Sequence, residues 1–113
     1  MAGKFEIKKS NNGQFYFNLK AGNGEVILTG ETYVAKESAH TGIASVKVNA
    51  PLDERFERKV AVNGQPFFVL KAANGQTLGK SEMYAGGAAA MENGIASVKN
   101  NAPNAAVVDL TGE

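Results

Sequence analysis

Every second residue is apolar in Phe5-Glu6-Ile7-Lys8, the signature of a strand with one buried face. The pattern returns after a break. Phe15, Phe17 and Leu19 point to one side of a second strand spanning Gln14 to Lys20, and Tyr16, Asn18 and Lys20 point to the other. A third strand is expected around Glu25 to Thr29. The period then changes. Ala39, Ile43, Val46 and Ala50 fall at i, i+4, i+7 and i+11, one apolar stripe of a helix.

The same succession is then written again. At an offset of 51, Phe5-Glu6 falls on Phe56-Glu57, Leu19-Lys20-Ala21 on Leu70-Lys71-Ala72, and Tyr33 on Tyr84. One added residue moves the offset to 52. There Gly42-Ile43-Ala44-Ser45-Val46-Lys47 meets Gly94-Ile95-Ala96-Ser97-Val98-Lys99. The second copy predicts strands at Phe56 to Lys59, Gln65 to Lys71 and Gln76 to Lys80. A helix with the stripe Met91, Ile95, Val98 and Ala102 follows. Such duplication fixes architecture more firmly than any local propensity.

Four Asn-Gly pairs, at Asn12-Gly13, Asn23-Gly24, Asn63-Gly64 and Asn74-Gly75, separate the strands. Both residue types tolerate positive φ, so type I′ hairpin turns are expected. Pro51 and Pro103 end the helices, because proline disfavours helical geometry in the residue before it. Gly42 and Gly94 sit beside the helical stripes. Glycine there costs about 1 kcal/mol against alanine, which implies a close approach of helix to sheet. A strand near Arg55-Phe56-Glu57 both follows the first helix and opens the second copy, and Val107-Val108-Asp109-Leu110 closes the chain. The expected fold is α+β. Two tandem β-β-β-α-β repeats, about residues 3–53 and 54–110, form one antiparallel sheet with both helices on one face and pseudo-two-fold symmetry. Residues 1–113 make a single domain, since one repeat alone buries too little surface.

Several of these repeated segments carry a family likeness. Lys4-Phe5-Glu6, the Phe-x-Leu-Lys-Ala-x-Asn-Gly run from Phe17 to Gly24, Tyr33, and Gly42 to Lys47, all repeated downstream, resemble the YegP-like family of small bacterial proteins, in its duplicated branch. The resemblance covers nearly the whole chain. It implies tandem units in one sheet, each lending its last strand to the other, with single-copy relatives reaching the same arrangement as homodimers. It carries no activity, ligand or catalytic residue.

Composition narrows the chemistry. Twelve basic and 11 acidic residues leave a net charge of +1, which argues against dedicated duplex binding. With no cysteine there is no disulfide framework, thiolate metal site or cysteine nucleophile. Met1 to Phe5 includes no apolar signal region and no apolar run is long enough to span a membrane, so a cytoplasmic protein without membrane contact is expected.

The candidate binding face is the sheet surface that the helices leave open. It would carry Tyr16 and Phe67 with Lys8, Lys59, Lys20 and Lys71 around them. Aromatics flanked by lysines suit single-stranded nucleic acid, but the near-neutral net charge and the lack of a ribonucleoprotein-type aromatic motif count against it, and a small apolar patch or a dimer interface is the plainer reading. Glu31 with Tyr33, and Glu82 with Tyr84, form a second duplicated set between strand and helix. A functional reading places two symmetry-related pockets there, although one carboxylate and one phenol define no reaction, and each tyrosine suffices as a packing residue. Ser45 and Ser97 lack an evident base, and the single histidine, His40, is expected on an exposed helix face. Ala21-Gly22-Asn23-Gly24 precedes a strand, not a helix, and so is no phosphate loop. No catalytic residue, metal ligand or cofactor is expected. The sequence predicts a non-enzymatic binding module whose partner is a protein or small ligand. Weak single-stranded nucleic-acid binding is the alternative, and an enzyme of unknown type the second. The duplication supplies internally what a dimer would give, so a monomer is expected ahead of a dimer.

Overall fold

The computed structural model describes residues 3–112. β1 (Lys4–Lys9), β2 (Phe15–Lys20) and β3 (Val26–Gly30) form a meander, and α1 (Lys36–Asn49) follows. β4 (Phe56–Val60), β5 (Pro66–Lys71), β6 (Thr77–Lys80) and α2 (Ala88–Asn101) repeat the pattern before β7 (Ala106–Asp109). All seven strands join one sheet in the order β4-β5-β6-β3-β2-β1-β7. Thr29 faces Lys80 across the β3–β6 seam. These two are repeat equivalents, so the pseudo-two-fold axis passes between them. Five of the six described pairings are antiparallel. The sixth, β1 with β7, is parallel, because α2 first carries the chain back across the sheet.

Both helices cover the same face. The predicted stripes Ala39, Ile43, Val46, Ala50 and Met91, Ile95, Val98, Ala102 are all buried, in one cluster with Phe5, Phe17, Leu19, Phe56, Phe68 and Leu70. Each repeat stacks its aromatics alike. Phe5 meets Phe17 edge-on and Phe17 stacks on Tyr33; Phe56, Phe68 and Tyr84 do the same. The ammonium groups of Lys47 and Lys99 cap these stacks, 5.9 and 5.7 Å from the Phe5 and Phe56 ring centres. These two lysines, in the last turns of their helices, therefore meet an aromatic face as well as the negative end of the helix dipole.

Two local expectations change. The Asn-Gly turns are not type I′, for no non-glycine residue among those described has positive φ. Only the glycines enter the left-handed region, Gly13 at 82° and Gly24 at 87°, for example. The N–H of Gly13 donates to the carbonyl of Ser10, and the N–H of Ser10 to that of Gln14, closing a three-residue loop with a glycine bulge. The Oδ1 atoms of Asn12, Asn23, Asn63 and Asn74 each accept the N–H two residues on, at 3.0–3.2 Å. The asparagine thus acts through its side chain, not by a left-handed backbone.

The helix glycines answer to a different neighbour. A Cβ on Gly42 would lie 2.5 Å from the phenol oxygen of Tyr33, and one on Gly94 would overlap that of Tyr84. The duplicated tyrosine, wedged between its phenylalanine and the helix, is what excludes a side chain. Asn49 and Asn101 anchor the helix ends. Each donates from Nδ2 to the carbonyl four residues back, at 2.8 and 2.7 Å. The Oδ1 of Asn101 accepts the N–H of Gly3 at 2.9 Å, and that of Asn49 accepts from Arg55 Nε at 2.9 Å.

Candidate functional site

The face of the sheet opposite the helices is built from every second residue of each strand. Strand register sets one row across it: Glu57, Val69, Lys80, Thr29, Asn18, Glu6 and Val108. Lys8 lies opposite Tyr16, and Lys59 opposite Phe67. Lys20 faces Lys4, and Lys71 faces Thr77, at the other ends of β2 and β5. All six residues of the candidate binding face therefore share one surface, as their alternation requires.

They do not form one cluster. β2 and β5 run in opposite directions, so Tyr16 and Phe67 lie on either side of the central row and three strands apart. At about 4.8 Å per strand and 3.4 Å per residue their separation is roughly 20 Å. Both are only half-buried, and the ammonium of Lys80 sits 5.2 Å from the Phe67 ring centre.

The lysines are organised by two glutamates that fill equivalent places in the two repeats. Glu6 is 5% exposed, and its carboxylate lies 2.9 Å from Lys20, 3.2 Å from Lys4 and 3.8 Å from Lys8. The Lys20 ammonium holds the Glu6 carboxyl below its ordinary range against the opposing effect of burial, and Lys4 adds to the lowering. Glu57 lies 3.2 Å from Lys59 and 3.3 Å from Lys71, which lower its pKa likewise. The sequence reading missed these carboxylates, although Lys4-Phe5-Glu6-Ile7-Lys8 places Glu6 between two lysines on one face. Lys80 was missed for another reason: its place depends on the β5–β6 register.

Charge on this molecule is segregated. The open face holds Lys4, Lys8, Lys20, Lys59, Lys71 and Lys80 against Glu6 and Glu57: six cations and two anions, a net +4. The rest of the sequence has six basic and nine acidic residues, a net −3. A total of +1 conceals this division.

Of the second duplicated set, Tyr33, Tyr84 and Glu82 line paired cavities on the helix side, each bridging the repeats, whereas Glu31 does not line its cavity. One, of about 300 Å³, is lined by Tyr33, Ser38, Thr41 and Ser45 with Gln76 and Leu78. Its counterpart, of about 240 Å³, has Tyr84, Asn93, Ser97 and Glu82 with Glu25 and Ile27. Burial raises the pKa of both tyrosines, with smaller contributions from Glu31 at Tyr33 and from Glu82 and Glu25 at Tyr84. The two have diverged, because Glu25 occupies the place of Gln76. Neither contains a nucleophile with a base beside it. His40 is exposed on α1, and among the described residues no group of three or more metal-ligating side chains converges. Nor is any described helix long and apolar enough to cross a membrane.

Comparison with known proteins agrees with this architecture. A family model described as a domain of unknown function, DUF1508, matches twice, at residues 10–57 and 61–109. The chain belongs to this family. It is 57% identical over 111 residues to the UPF0339 protein YegP of Escherichia coli K12, covering 98% of this chain and all of that one. A UPF0339 protein of Acinetobacter baylyi is 54% identical over 112 residues, 99% of this chain and 100% of its own. The solution NMR structure of the Escherichia coli protein superposes with a TM-score of 0.93, covering 100% of this chain and 97% of that one. That of a Shewanella oneidensis UPF0339 protein, 51% identical, gives the same score with 100% and 95% covered. The DUF1508 match thus coincides with the internal duplication, and no function is indicated for these relatives.

Proposed function

We propose that this DUF1508 protein is a non-catalytic binding module that takes an anionic chain, single-stranded nucleic acid, on the helix-free face of its sheet. The observation that carries the reading is charge segregation: a net +4 lies on one open face of a molecule whose remainder is net −3. Phosphate contacts by lysine supply affinity without sequence preference, and half-buried aromatics offer π-faces to unstacked bases. A strand crossing the face on the Tyr16–Phe67 diagonal would cover about 20 Å, enough for several successive nucleotides. The near-neutral total charge, which counts against nucleic-acid binding when read from composition, hides this division between faces.

The test is an amide-shift titration with an eight-nucleotide single strand at low and moderate salt, with oligo-glutamate as a control. Shifts on residues 14–20 and 56–71 that fade with salt support the reading. So does loss of binding in Lys8→Glu/Lys59→Glu, whose side chains are solvent-facing. Shifts confined to the helix side, or equal binding of oligo-glutamate, would overturn it.

A further inference from the structure

The four Asn-Gly pairs carry a reactivity that ligand binding does not use. In an asparagine followed by glycine, the glycine nitrogen can attack the side-chain carbon Cγ, since no Cβ obstructs its approach. The nitrogen first loses its proton to solvent base. As the N–Cγ bond forms, the Cγ–Nδ2 bond breaks and ammonia leaves, taking a proton from water. Water then opens the cyclic imide at either carbonyl, giving aspartate or isoaspartate. No other reactant is needed, and Asn12, Asn23, Asn63 and Asn74 are all exposed to solvent.

All four turns hold the reacting groups apart in the same way. The N–H of Gly13, Gly24, Gly64 and Gly75 donates to the carbonyl three residues back, at 2.9–3.0 Å. The asparagine Oδ1 is held by the N–H two residues on, at 3.0–3.2 Å. The proton that must leave is thus engaged, and the carboxamide faces the wrong nitrogen. Attack requires the turn to open. Beyond this common set the braces are unequal. The Nδ2 of Asn12 donates to Gln14 Oε1 at 3.4 Å, and that of Asn63 to Gln65 Oε1 at 3.3 Å. Ser10 adds a hydroxyl whose single proton reaches Asn12 Oδ1 or the Gln14 carbonyl, whereas Ala21, Ala61 and Ala72 stand in its place in the other turns. Among the described residues, the carboxamide nitrogens of Asn23 and Asn74 make no hydrogen bond.

We propose that Asn23 and Asn74, in the β2–β3 and β5–β6 turns, are the deamidation sites of the folded protein, reacting through opened turns and ahead of Asn63 and then Asn12. The same opening frees the glycine N–H. Reaction at each turn is therefore slowed, relative to the unfolded chain, by the factor that protects that N–H from hydrogen exchange. The two products differ in consequence. Aspartate keeps an oxygen for the N–H two residues on, so the turn survives. Isoaspartate adds a methylene to the main chain and, at Asn23, breaks the 2.9 Å bond from Gly24 to Ala21. Either product at Asn23 adds a carboxylate to the cavity wall that already has Glu25 and Glu82. None of this rests on nucleic-acid binding.

The experiment incubates the full chain, folded and in urea, in mildly alkaline buffer made with heavy-oxygen water. Mass spectrometry of the peptides follows each turn, and NMR reads the hydrogen exchange of the four glycine amides in the folded protein. With each rate divided by its own rate in urea, Asn23 and Asn74 should lead Asn12 by about threefold, the worth of one weak exposed hydrogen bond, with Asn63 between them. The slowing should match the glycine protection at every turn. Ser10→Ala, which copies the alanine of the other turns, should bring Asn12 to the rate of Asn63. Reaction of Asn23 and Asn74 as fast in the folded protein as in urea would overturn gating by turn opening. Asn12 or Asn63 reacting first, or slowing unrelated to glycine protection, would overturn the assignment. So would an unchanged Asn12 rate in Ser10→Ala.

Discussion

Replacing Gly94 by alanine sets two effects of opposite sign against each other. In a helix open to solvent the change is stabilising by about 1 kcal/mol, through lower backbone entropy in the unfolded chain. Here the added Cβ would overlap the phenol oxygen of Tyr84 and lie 2.7 Å from its Cζ. Tyr84 cannot easily withdraw, because its ring stacks on Phe68, which is fully buried. Overpacking costs about 1–3 kcal/mol, and the severe overlap here belongs in the upper part of that range, about 2–3 kcal/mol, so after the helical gain of about 1 kcal/mol Gly94→Ala should lower stability by roughly 1–2 kcal/mol. Gly42→Ala, with its Cβ 2.5 Å from the Tyr33 oxygen and 3.0 Å from Cζ, should lose about 1 kcal/mol. Removing that oxygen in Tyr33→Phe should restore most of the loss, a coupling of about 1 kcal/mol in a double-mutant cycle. Equilibrium urea unfolding measures each term. A gain of stability in either single glycine variant would refute the claim that tyrosine, not backbone proximity to the sheet, is what keeps these positions side-chain-free.

Two other outcomes follow from buried polar groups. Glu6 has a folded-state pKa below its ordinary value of 4.5, so its contribution is full above about pH 4.5 and is lost as pH falls through the lowered value. Stability should therefore decline in that acid window, and Glu6→Gln should flatten the decline; an unchanged slope in an acid titration followed by circular dichroism would contradict it. Asn101→Ala removes the acceptor for the Gly3 N–H and the donor to the Ser97 carbonyl, and should cost about 1–2 kcal/mol in thermal unfolding. A loss of a few tenths would mean that water replaces both bonds.

Much of the architecture was legible in the chain, because local periodicity and duplication are properties of sequence. Alternation assigned Phe17 and Leu19 to the core and Tyr16 and Lys20 to the open face, and the helical stripes named the residues that meet them. The offset of 51 to 52 residues implied the pairing of halves. The turn type was not legible. Asn-Gly is compatible with two geometries, and hydrogen bonds from Gly13 and Ser10 chose the bulged one.

Relations between the repeats were decided only in three dimensions. That Tyr33 and Tyr84 press on the helix glycines depends on how each helix crosses the sheet, a contact no spacing encodes. Lys80 joined the basic face through the registers of β6 with β3 and β5. The cavity that brings Glu25 of one repeat to Tyr84 of the other required packing across the seam. The uncovered β4 edge is the clearest case. The chain continues past α2 into β7, but the strand after α1 is β4 itself, paired inward to β5. Residues 54–57 and 106–109 are aligned by sequence, yet one set pairs antiparallel within its repeat and the other parallel across to β1. Sequence specified two like halves through local hydrophobic pattern. Connectivity, which lets each segment occupy one place only, gave β1 a covering strand, and among the described residues no strand covers β4.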